Sequence, residues 1–182
     1  MRLFTGVDLP RPVTASLEQL LAQLRPTAHL KWTTVYNLHI TLKFIGEQPE
    51  ERLAEIKDAL ARMPKHAPVA IDIRGLQWIP NPGRPRMLWN NIDAPELTPL
   101  AAEIDSALAP LGIVKEDRPY TPHLTLARIR MPVALQNTRK ATEQLQSVDF
   151  GSFQADRFWL YLSEPGEANS IYTKLAEFPL AA

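Results

Sequence analysis

One tetrapeptide pattern occurs twice, as His39-Ile40-Thr41-Leu42 and His123-Leu124-Thr125-Leu126, 84 residues apart. In an extended strand, residues i and i+2 share a face. Each copy therefore presents His and Thr on one side and two aliphatic side chains on the other, a polar pair backed by an apolar pair. Shifting the chain by the same interval carries the strand-like run at Leu3 onto Met87, the helical run at Val13 onto Leu97 and the strand-like run at Val69 onto Phe153. The helical run after the first motif lands near Thr138. This element order predicts two similar α+β lobes related by a pseudo-twofold axis, each carrying one motif on a strand.

The elements come from apolar periodicity. Helices are expected through Val13, Leu17, Leu20, Leu21 and Leu24, and through Leu53, Ile56, Leu60 and Met63 behind the first turn Pro49-Glu50-Glu51. A third follows Leu97, Leu100, Ile104, Leu108 and Leu111 and stops at Gly112, and a weaker one spans 138–145. Strands are expected over 3–8, 38–45, 69–79, 87–92, 123–129, 158–162 and 171–178, with 80–85 as a long loop. No glycine-rich fingerprint opens any helix, which favours two α+β lobes over a doubly wound parallel sheet.

Composition narrows the chemistry. The chain has no cysteine, which removes disulfides, zinc-thiolate sites, iron–sulfur clusters and a Cys nucleophile. Twenty basic residues match twenty acidic ones, so any phosphate site is local. The stretch from Met1 to Pro10 is too short and polar for a signal peptide, and no run of about 18 apolar residues occurs. A cytoplasmic protein without membrane association is the expectation.

Four converging side chains, two imidazoles and two hydroxyls, suit a tetrahedral phosphate. Displacement at phosphorus needs a base for the attacking hydroxyl and, on the opposite side, an acid for the leaving oxygen. Two histidines titrating near neutrality fill both roles. The Thr41 and Thr125 hydroxyls would hold the non-bridging oxygens as charge accumulates. No metal or other cofactor is called for. Chemistry alone leaves open which histidine is acid and which is base, and neither motif brings the carboxylate or third imidazole that a metal site would want.

The neighbours are less explicit. Lys43 has the parity of the motif residues and is a candidate phosphate contact. Strict alternation from His123 puts Arg128 on the opposite face, from which it reaches the cleft only if the strand ends or bulges near Ala127. Trp32, Phe44 and Tyr120 are candidate base-stacking residues, with packing the expected role of Phe44. His29 and His66 lack any partnering pattern.

These blocks resemble the 2H phosphoesterase superfamily, and specifically its RNA 2',3'-cyclic phosphodiesterases, also called 2'-5' RNA ligases or LigT-like proteins. The resemblance spans Arg2-Leu3-Phe4 with Val7-Asp8-Leu9-Pro10, the block from Asn37 to Glu47, Arg86-Met87-Leu88-Trp89, the block from Arg118 to Arg128, and Leu160-Tyr161-Leu162-Ser163 with Tyr172. It implies one 2H phosphoesterase domain over 1–182, two intertwined antiparallel-sheet lobes with helices outside and a central cleft. It further implies hydrolysis of RNA 2',3'-cyclic phosphate ends, or of cyclic nucleotides, to 2'-phosphomonoesters. By the same resemblance His39 is the proton donor, His123 the proton acceptor and Arg128 the phosphate contact. A monomer is expected. The alternative is a module that binds RNA ends or nucleotide phosphates without turning them over.

Overall fold

The computed structural model describes residues 1–181. Nine strands and four α-helices follow one another as β1 (Arg2–Val7), α1 (Arg11–Leu24), β2 (Lys31–Trp32), β3 (Ile40–Glu47), α2 (Leu53–Ala61), β4 (Val69–Ile79), β5 (Met87–Asp93), α3 (Leu97–Leu108), β6 (His123–Arg128), α4 (Gln136–Glu143), β7 (Asp149–Ala155), β8 (Arg157–Glu164) and β9 (Ile171–Pro179). They form two antiparallel sheets, one ordered β3-β1-β8-β9 and the other β2-β6-β5-β4-β7. The expected α+β class with two antiparallel-sheet lobes is what the chain adopts.

Helices follow the apolar stripes. In α1, Val13, Leu17, Leu20, Leu21 and Leu24 are all buried behind a proline in the first turn. In α3 the buried positions are Leu97, Leu100, Ala101, Ile104 and Leu108. A 3-10 turn over Ala109–Leu111 extends α3 to Gly112, whose φ of 78° is the left-handed stop that glycine adopts without penalty. Each fully buried leucine on these faces contributes about 2 kcal/mol.

The halves exchange elements. β4, from the first half of the sequence, lies between β5 and β7; β8, from the second half, lies between β1 and β9. The helices cross as well, with α1 packing on β7 and α3 on β3. Both motif strands are thereby left at the outer side of their sheets: β3 is an edge, and β6 is covered only by the two-residue β2. β3 and β6 contact each other between the sheets. Among the described residues, no helix is long and apolar enough to cross a membrane.

Two strands carry no apolar periodicity of their own. β2 is too short to show alternation, and β7 buries only Phe150 and Ala155 of seven residues, with Gly151 breaking the pattern. The 84-residue shift did mark a strand at Phe153.

Candidate active site

The two imidazoles are fixed in the same way. His39 Nδ1 lies 2.7 Å from the Asn37 carbonyl, and His123 Nδ1 lies 2.8 Å from the Thr121 carbonyl, in each case two residues back along the chain. A carbonyl only accepts, so both Nδ1 atoms carry hydrogen and both Nε2 atoms are left to exchange protons. His39 Nε2 meets Thr41 Oγ1 at 3.0 Å. Burial holds His39 below its ordinary pKa; the Asn37 carbonyl partly offsets this, and the charge of His123 adds to it. His123 is likewise held down, first by burial and further by the Arg128 cation, against the opposing pull of the Thr121 carbonyl.

Both motifs are interrupted at their last leucine. Between β1 and β3, Gly6 pairs with Thr41 and Thr5 with Lys43, leaving Leu42 without a partner. Between β5 and β6, Trp89 pairs with Thr125 and Leu88 with Ala127, leaving Leu126 without one. These are β-bulges, and each resets the alternation of its strand. Leu42 and Lys43 are consequently both buried, as are Leu126 and Ala127. The next residue, Phe44 in one strand and Arg128 in the other, returns to the face of the motif Thr.

The bulges decide where three candidate residues stand. Lys43 does not reach the cleft: its side chain is 5% exposed, donates to the Val114 carbonyl and is paired with Asp105 of α3 at 2.5 Å. It ties the first motif strand to a helix from the other half of the chain. Arg128 stands on the cleft face, by the bulge near Ala127 that alternation alone required, and its charge is felt by His123. Phe44 is not packed away but 64% exposed, with its ring centroid 6.1 Å from Phe4, which itself lies 4.8 Å from the His39 ring.

Tyr120 serves position rather than stacking. Its hydroxyl donates to the Thr41 carbonyl at 2.8 Å, closing the open edge of β3 from the other half of the chain, and burial pushes its pKa up. The Thr33 hydroxyl does the reciprocal job on the Thr125 carbonyl at 2.8 Å, and the Thr33 amide donates to the bulged Leu126 carbonyl at 2.8 Å. His29 is exposed and His66 half-buried, its Nδ1 beside the Ala67 carbonyl. Among the described residues, no group of three His, Asp or Glu side chains is arranged to hold a metal ion.

Sequence reasoning missed the aromatic residues around the histidines. Trp89 stacks on His123 with ring centroids 3.7 Å apart and planes within 10°. Tyr172 meets His39 edge-on at 5.1 Å and Tyr161 lies at 6.0 Å. The signal for Trp89 is its register opposite Thr125, which no single strand reveals.

The description of LigT-like phosphoesterases matches residues 7–89 and 92–172, both motifs included. This chain belongs to the LigT-like phosphoesterase family. It is similar to the RNA 2',3'-cyclic phosphodiesterase of Methanocaldococcus jannaschii, with 32% identity covering 98% of this chain and all of that one. The enzyme of the same name from Archaeoglobus fulgidus is 33% identical, covering 98% of this chain and 99% of its own. A crystal structure from Thermus thermophilus superposes with a TM-score of 0.83 at 32% identity, covering 99% of this chain and 98% of that one.

Proposed function

We propose that this family member is an RNA 2',3'-cyclic phosphodiesterase working by two-histidine acid–base catalysis, in the cytoplasm and as a monomer. One observation carries the reading: two histidines at the starts of facing motif strands, each with Nδ1 held by a backbone carbonyl so that Nε2 is the atom that exchanges protons, and one of them beside a cation. The naming of full-length relatives as RNA 2',3'-cyclic phosphodiesterases supports it.

The proposed roles make His123 the base and His39 the acid, and the difference in surroundings supports them. Burial favours the neutral, proton-accepting form of His123 and the neighbouring Arg128 charge adds to it, while His39 is held down by burial as well, so the distinguishing feature of His123 is its cation. His39 feels no cation except His123 itself. His123 Nε2 removes a proton from water, whose oxygen bonds to the cyclic phosphorus. The bond from phosphorus to O3' breaks, and His39 Nε2–H delivers its proton to the departing oxygen, leaving a 2'-phosphomonoester. Thr41, Thr125 and Arg128 hold the non-bridging oxygens, and Phe44 offers a face for the base. With an RNA 5'-hydroxyl in place of water, the same transfers form a 2'-5' phosphodiester.

The test is to incubate purified protein with 2',3'-cyclic AMP in EDTA and separate the products by chromatography. Formation of 2'-AMP is expected. Formation of 3'-AMP would reverse the assignment of the leaving oxygen, and tight binding without turnover would make the protein a phosphate-end binding module.

A further inference from the structure

Although the chain is neutral overall, four cations gather at one end of the second sheet. Lys31 of β2 is the direct cross-strand partner of Arg128, whose other neighbour is Met87 of β5. The Arg128 guanidinium touches the Met87 sulfur at 3.5 Å, which confirms the shared face. The Ile129 amide donates to the Arg86 carbonyl at 2.8 Å, so Arg86 and Arg130 both lie just beyond this row. All four are exposed, and among the described residues none has a carboxylate within ion-pair distance.

Like charges directly opposite each other across a strand pair repel and destabilise the pair. Nothing in the fold offsets the repulsion between Lys31 and Arg128, whereas bound phosphates would. Arg128 is already committed to the reacting phosphate. Directly opposed side chains start about 5 Å apart, so Lys31 stands ready for a neighbouring phosphate rather than the same one. A compact ammonium suits a phosphodiester, which needs charge more than forked geometry.

We propose that Lys31, continued by Arg86 and Arg130, binds the phosphodiester that joins the terminal nucleotide to the rest of an RNA strand. The substrate class is then an RNA oligonucleotide end, and a free cyclic mononucleotide is the poorer substrate. This rests on the hydrolytic reading of the cleft and extends it to what lies outside.

The experiment compares a pentaribonucleotide ending in a 2',3'-cyclic phosphate with 2',3'-cyclic AMP, using the full chain and Lys31→Gln. Wild-type kcat/KM should favour the pentamer by tenfold or more. Lys31→Gln should lose most of that preference while cleaving cyclic AMP normally, and Lys31→Arg should keep it. The salt dependence of binding a 2'-phosphate-ended pentamer should fall by about one unit of slope in Lys31→Gln. Lys57→Gln, on a remote helix, should change neither quantity. Equal wild-type rates on pentamer and mononucleotide, or an equal loss on both in Lys31→Gln, overturns the proposal. The binding measurement needs no turnover. A protein that cleaves neither substrate, yet shows the Lys31-dependent salt slope, refutes the hydrolytic reading and keeps the backbone contact.

Discussion

The two motifs share their His, Thr and final Leu and a bulge, yet they place their histidines against different walls. Opposite Thr41 stands Gly6, where an added Cβ would come within 3.0 Å of the Ile40 carbonyl oxygen and 3.6 Å of the His39 ring. Opposite Thr125 stands Trp89, and His123 lies flat on its indole. His39 thus sits deep in a box of Phe4, Tyr161 and Tyr172, while His123 rests on one aromatic plate beside a guanidinium. The residue after each bulge diverges as well, an aromatic ring in one lobe and a cation in the other. Duplicated geometry supplies two proton carriers; unequal surroundings tell them apart.

The strongest way to break this comparison is to remove each carrier. His39→Ala and His123→Ala should each lower kcat by 10²-fold or more, with the double variant little worse than either single one, because acid and base act in one step. A single variant with near wild-type kcat would strip that histidine of its role.

The positions after the bulges come next. Arg128→Ala should cut kcat by about 10²-fold, since it removes charge stabilisation at the phosphate. Phe44→Ala should act mainly on KM, by about tenfold, as expected for one lost base stack of about 1–3 kcal/mol. An Arg128→Ala enzyme with unchanged kinetics would return that side chain to the outer face that alternation predicts.

Smaller effects sharpen the contrast at His123. Trp89→Leu should reduce kcat severalfold, whereas Trp89→Phe retains a ring and most of the rate. The indole favours the imidazolium, so its loss should move the acid limb of the pH–rate profile to lower pH. Arg128→Gln should move the same limb upward, because a neighbouring positive charge is gone. The two limbs belong to the histidine pair jointly. Identical shifts in both variants would refute the division of influence.

The smallest expected effect is on stability. Both imidazoles sit below their ordinary value of about 6.5 in the folded protein, so the unfolded chain binds more protons between those lowered values and 6.5. Stability therefore falls as pH drops through that window. The melting temperature should be lower at pH 5.5 than at pH 7.5, and His39→Gln with His123→Gln should flatten the difference. An unchanged pH dependence in the double variant would assign it to other groups.

Much of this was legible in the sequence because alternation and helical stripes are local properties. The motif strands and the three strong helices follow from side-chain period alone. Strict alternation puts Lys43 and Phe44 on the wrong faces, and Arg128 reaches the cleft face only through the bulge near Ala127 that the same counting makes a condition: a bulge is a property of two paired strands, which period-2 counting along one strand does not reveal. Tyr120 and Trp89 depend on contacts across 79 residues and across a strand pair respectively, which no local pattern encodes.

The exchange of β4 and β8 between the sheets has a consequence for origin and for engineering. Taken alone, the first half would project β4 with no sheet to join, and the second would leave β7 without its partner and the β8–β9 hairpin without β1. Two identical copies would satisfy one another, which is the arrangement of a domain-swapped homodimer. The present chain shows that exchange unequally, its second half contributing both β8 and β9 to the first sheet and also β7 to the second, and as one chain it can place a glycine behind one histidine and a tryptophan behind the other. Separately expressed halves, cut in the loop between Ile79 and Met87, should accordingly regain structure only when mixed.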